Sequence, residues 1–92
     1  MPEYIMLMRG VPSERDWESY IEKMNQSKHF RGGSAFGNSK CLSESKGAHA
    51  CVATGFMRFE ADSMRQVELL VSENPTYKAG GLVEIHELVY SG

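Results

Sequence analysis

The chain has 92 residues, fewer than a typical domain, so one compact domain over 1–92 is expected, with apolar surface left for a partner to cover. Its 41% hydrophobic and 24% charged content is that of a folding chain. Lys and Arg number 10 against 12 Asp and Glu, a net charge of -2, which excludes the basic surplus that a nucleic-acid binder or a polybasic membrane anchor requires.

Glu3 to Arg9 is a short apolar run stopped by Gly10 and Pro12; too brief for a helix, it predicts a central strand buried on both faces. Ser13, three residues before Asp16, gives an approximate capping signal. Trp17, Tyr20, Ile21 and Met24 follow at the i, i+3, i+4, i+7 spacing of an amphipathic helix over about Glu14 to Ser27. Arg31-Gly32-Gly33 ends the connection into the next extended segment. From Ser34 to Ala61, small and β-prone residues broken at Gly37-Asn38 and Glu44-Ser45-Lys46-Gly47 predict a hairpin. Gly37 marks a bulge in its first arm, and Ala50 to Glu60 forms the better-specified second arm. Ser63 and Gln66 make a capping box, after which Met64, Val67, Leu70 and Val71 give an apolar stripe ending at Asn74-Pro75. Gly80-Gly81 reopens an extended path into a last strand, Leu82 to Tyr90.

The order is β-α-β-β-α-β, the ferredoxin-like α+β plan, in which two right-handed crossovers place both helices on one face of a four-stranded antiparallel sheet. The other face is left bare, which in so short a chain predicts a homodimer through the open sheet faces, with Phe56 and Leu88 in the interface. No apolar run approaches the roughly 20 residues of a membrane span and no signal-type segment is present, so a cytoplasmic location is expected. Cys41 and Cys51 lack C-x-x-C spacing and read as two buried free thiols rather than a redox pair.

The opening Tyr-Ile-Met-Leu-Met-Arg strand, Trp17, Gly32-Gly33, the run Gly55 to Ser63, Pro75 and the run Gly80 to Leu88 together resemble the YCII-related family, particularly its DGPF-motif branch. The resemblance implies a dimeric α+β barrel, in which two bare sheet faces close around a core that can hold a small-molecule pocket. It implies an isomerase or lyase acting on a small acidic or ring substrate, or else a non-catalytic ligand-binding or protein-interaction regulatory module. The stretch where the Asp-Gly-Pro-Phe loop belongs reads Glu44-Ser45-Lys46-Gly47-Ala48-His49, and the first helix has no histidine. No catalytic residue is therefore carried over.

Strand alternation separates the two sheet faces. Met57, Phe59 and Ala61 turn toward the helices, leaving Phe56, Arg58 and Glu60 on the open face; Val83, Ile85 and Val89 turn inward, leaving Glu84, His86 and Leu88 open. If Ile5 and Leu7 share that open face, Arg9 joins a cluster with Arg58, Glu84 and His86. Such a cluster can bind a small anionic ligand or, with His86 as base and an arginine holding a carboxylate, transfer protons. The same four residues read more readily as an inter-subunit salt-bridge network. His29 and His49 read as solvated, and three scattered histidines imply neither metal nor cofactor. Ser34 and Ser39 lack triad partners, the six methionines suit core filling, and Trp17 packs its helix on the sheet.

Overall fold

Strand β1 (Glu3–Arg9) lies inside a four-stranded antiparallel sheet ordered β2 (Phe30–Ala35), β5 (Ala53–Glu60), β1, β6 (Leu82–Leu88). This computed structural model describes residues 1–10, 14–45, 47–49 and 52–89, with 14–16 and 47–49 described by backbone alone. Helices α1 (Glu14–Ser27), α2 (Met64–Val71) and the short α3 (Pro75–Lys78) supply the second layer. Tyr4, Met6 and Met8 of β1 are buried with Met57 and Phe59 of β5 against Tyr20 and Met24 of α1 and Val67 and Val71 of α2. Ile5 and Leu7, on the opposite face of β1, are half-buried. β1 is thus central as expected, but the expectation of burial on both faces is corrected. The strand period of two sends alternate residues to a face that the described residues leave only half covered.

The Ser34–Ala61 hairpin is corrected in detail. Its outer arms are β2 and β5, and a separate ribbon of β3 (Cys41–Ser43) and β4 (Gly47–His49) stands between them. Arg31-Gly32-Gly33 lies within β2 rather than before it, and the irregularity falls between Phe30 and Gly33, not at Gly37. A β-carbon on Gly33 would run into the Phe56 carbonyl oxygen, so glycine is what lets β2 approach β5 here. Cys41 is exposed, contrary to the expected burial, while Cys51, Ser13 and Tyr90 lie outside the described residues. Val89 follows the end of β6 and is exposed, so it does not turn toward the helices.

The capping box at α2 forms with one shift of register. Ser63 Oγ accepts from the Gln66 N–H, but Gln66 Oε1 accepts from the N–H of Asp62, one residue before the cap. That orientation aims the Gln66 amide group at His29 Nε2 (3.2 Å), and His29 Nδ1 donates to the Glu60 carbonyl (2.9 Å). His29 is therefore a half-buried tie between α2 and the sheet, where the sequence suggested a solvated side chain.

A polar group that the sequence reading did not single out lies at the centre. Asn74 and Thr76 are buried beside the apolar core. Asn74 Oδ1 accepts from the N–H groups of Thr76 (2.9 Å) and Tyr77 (3.2 Å), capping α3, while Nδ2 faces the thioethers of Met8 (3.6 Å) and Met57 (3.7 Å). Replacing Asn74 by Ala removes a cap and leaves a cavity, an expected loss of about 2–4 kcal/mol in a denaturant melt. Ser72→Ala, at an exposed hydroxyl bonded to the Leu69 carbonyl, is expected to cost under about 1 kcal/mol.

Tyr20 donates its hydroxyl to the Leu70 carbonyl (3.1 Å). Burial pushes its pKa up to about 12, with the nearby Glu73 charge adding to the rise and the Asn74 amide opposing it. Because the unfolded phenol ionises first, Tyr20 contributes full stability below pH 10 and loses it as pH rises toward 12. The expected loss over that interval is on the order of 2 kcal/mol, and Tyr20→Phe should flatten it in melts run at stepped pH.

Candidate functional site

The open face of the sheet carries an apolar column with charges on both flanks. Register sets Arg58, Ile5 and His86 in one row across β5, β1 and β6, and Phe56, Leu7 and Glu84 in the next. Phe36 stacks on Phe56 with ring centroids 5.8 Å apart. Three of the four candidate residues come together: Arg9 Nη2 donates to Glu84 Oε1 (3.1 Å), and His86 Nε2 lies 2.6 Å from Glu84 Oε2. Arg58 stands apart, since Ile5 separates it from His86 and its guanidinium pairs with Glu3 (3.0 Å). Nor does Arg58 serve Glu60, which pairs with Arg31 (2.8 Å).

The hydrogen bond from His86, reinforced by the charge of Arg9, holds the Glu84 carboxyl below the ordinary glutamate range. These ion-paired side chains keep between 24% and 53% of their surface in solvent, so solvent screening leaves each pair a weak contributor to stability. Arg9 Nε is shielded from solvent and has no hydrogen-bond partner among the described residues. As pH falls through its folded-state value, Glu84 protonates later than an unpaired glutamate, and the stability it contributes above pH 4.5 is lost. Carboxyl NMR titration should place Glu84 below the ordinary glutamate range, and His86→Ala should move it back up.

A second feature lies on the helix side, where no candidate residue was expected. A cavity of about 330 Å³ opens between α1 and the β2–β5 half of the sheet. Trp17 and Ile21 form one wall, Phe30 and Ala35 another, and Met8, Met57 and Thr76 stand on the sheet and α3 sides. Among the described residues its lining has no ionisable side chain, and Arg9, Arg58, Glu84 and His86 are not part of it. Trp17, expected to be packed on the sheet, is half-buried as this wall and meets Tyr20 edge-on at 5.8 Å. The apolar helix spacing that revealed Trp17 and Ile21 was legible, but a gap between helix and sheet leaves no sequence pattern.

The polar side chains of the described lining are the hydroxyls of Ser34, Thr54 and Thr76. Thr54 Oγ1 donates to the carbonyls of Met8 (3.3 Å) and Gly10 (3.1 Å), leaving lone pairs free to accept. Among the described residues Thr76 Oγ1 has only the Met8 thioether at 3.8 Å, a weak acceptor. The arrangement suits an uncharged ring or short apolar body with a hydroxyl or carbonyl group.

No protein-family profile and no curated protein matches the chain. Among solved structures it is similar to the 5-chloro-2-hydroxyhydroquinone dehydrochlorinase TftG of Burkholderia phenoliruptrix AC1100, in its complex with 2,5-dihydroxybenzoquinone. The similarity covers 89% of this chain and 90% of that one, with 16% identity and a TM-score of 0.56. At that identity the likeness is one of fold, and it agrees with the α+β, ferredoxin-like architecture. Among the described residues no group of three or more His, Cys, Asp or Glu could hold a metal, and no helix is long and apolar enough to cross a membrane.

Proposed function

We propose that this chain is a cytoplasmic, YCII-related protein, one domain over 1–92, that binds a small uncharged ring compound in the cavity between α1 and the sheet. The observation that carries the reading is the lining: about 330 Å³ bordered by Trp17, Ile21, Phe30, Met8 and Met57 with the hydroxyl residues Ser34, Thr54 and Thr76. An isomerase or lyase is a second reading, favoured by the fold likeness to a dehydrochlorinase. It needs an acid or base at the ring, and none of the described lining side chains supplies one.

The open face supports a homodimer. Ile5, Leu7, Phe56 and Leu88 are half-buried in one chain, and a second copy laid on them would take the column out of water while the Arg9–Glu84–His86 and Arg58–Glu3 groups set its register. In this reading the four charged residues belong to the dimer rather than to an anionic-ligand site.

Trp17 is the chain's one tryptophan, so its emission reports on the cavity directly. Titration with 4-methylphenol is expected to change Trp17 fluorescence saturably, and benzoate at equal concentration is expected to leave it unchanged. Ala35→Phe, which fills the cavity from β2, should abolish the response while the cooperative melt persists. A response to benzoate that Arg58→Ala removes would instead move the ligand to the open face.

A further inference from the structure

The two edges of the sheet differ. β2 is short, glycine-containing and irregular against β5, features that blunt an edge against further pairing. β6 pairs with β1 over seven residues without a register shift, contains neither Pro nor Lys, and carries no strand on its outer side among the described residues. Beside it, on the helix side, α2, α3 and β6 bound a second cavity of about 430 Å³. Leu69, Val71, Tyr77, Val83 and Ile85 line it beside Arg65, Glu68 and Ser72, with Leu69 60% and Tyr77 51% exposed.

We infer that the outer edge of β6 pairs antiparallel with β6 of a second copy about a two-fold axis at Ile85. The occupant follows from the sequence of the strand, Leu82-Val83-Glu84-Ile85-His86-Glu87-Leu88, whose open-face residues Leu82, Glu84, His86 and Leu88 match their own reverse. Centred on Ile85, the pairing sets Glu84 opposite the second copy's His86, and His86 opposite its Glu84. Both lie on the open-face side, where the oppositely charged or hydrogen-bonding partners favour this register. Leu82, 68% exposed in one chain, meets the second copy's Leu88 on the same side. On the helix side Ile85 faces its own copy, Val83 faces Glu87, and the apolar grooves holding Leu69 and Tyr77 become continuous across the axis. A one-residue slip would break the Glu–His match and send side chains to the wrong face. The result is an eight-stranded sheet joined along the β6 edge, whose Glu84, His86 and Leu88 also border the open face of the proposed homodimer.

The test is disulfide trapping. With Cys41→Ser and Cys51→Ser removing the native thiols, Ile85→Cys places two sulfurs opposite one another on the axis. Facing residues of an antiparallel pair have Cα atoms about 4.5–5.5 Å apart, within disulfide range. Mild oxidation is expected to give a cross-linked dimer at least tenfold faster than the same background with Glu22→Cys on the exposed side of α1. His86→Glu should slow trapping tenfold or more by setting glutamates opposite each other, and Glu84→Lys with His86→Glu should restore it. Trapping no faster than the Glu22→Cys control overturns the pairing. Should the Ile85→Cys chain lose its cooperative melt, Leu69→Lys decides: it lies in the helix-side groove, away from the open face. Halved mass in light scattering supports the edge, and unchanged mass overturns it even where the open-face dimer stands.

Discussion

The Asn74 carboxamide ties together more of this structure than any apolar residue does. A buried amide must place both its oxygen and its nitrogen, and here the oxygen is used by the first N–H groups of α3 while the nitrogen faces sulfurs from β1 and β5. Tyr20 brings α1 to the same point, through its bond to Leu70 and its contact with Asn74. Four elements therefore share one polar junction, set among the described residues in an otherwise apolar core. Thioethers are soft acceptors, so the junction tolerates small shifts of Met8 and Met57 without losing its geometry. Those two methionines, with Thr76, also bound the helix-side cavity, so the group that fixes α3 against the sheet also fixes the cavity floor.

The two sheet faces have been given different chemistry. On the helix side, methionines and aromatic rings surround a space without described charge. On the open side, half-exposed ion pairs flank Ile5 and Leu7. Pairs of that exposure add little to the stability of one chain, and their arrangement matters for register: each arginine meets a carboxylate on a neighbouring strand, so a slipped partner strand would leave like charges adjacent. Gly81 serves the same economy of space, since a β-carbon there would come within 2.6 Å of the Arg9 carbonyl, where β1, α3 and β6 converge.

Much of the fold was legible because hydrophobic period is local. The spacing of Trp17, Tyr20, Ile21 and Met24 gives α1 its limits of Glu14 and Ser27, and Ser63 and Gln66 give the start of α2. The alternation that set Met57 and Phe59 apart from Phe56 and Arg58 likewise holds. What was not legible depends on neighbours far along the chain. Asn74 next to Pro75 looks like a helix stop, and only the arrival of Met8 and Met57 makes it a buried junction. Nothing local distinguishes His29 from a solvated histidine until Gln66 is brought against it. Arg58 looked like a partner of His86 because both point to the open face; the register that inserts Ile5 between them is a property of the assembled sheet. Gly37 reads locally as the irregularity of the hairpin's first arm, but the shift falls between Phe30 and Gly33, where β2 meets β5.

The β3–β4 ribbon bears on how quickly the sheet can assemble. β2 and β5 are partners, yet the chain between Ala35 and Ala53 leaves the sheet to make a ribbon of its own. Bringing the ends of such a segment together costs more entropy than closing a tight turn of about four residues, by about 1 kcal/mol for two doublings of loop length. A chain with the detour replaced by such a turn would keep every β2–β5 pairing and lower the contact order of its outer strand. Its sheet would close sooner, since local pairings form before distant ones. The ribbon is thus a kinetic burden that the four-stranded sheet does not need, which sets the origin of that segment apart from the requirements of the fold.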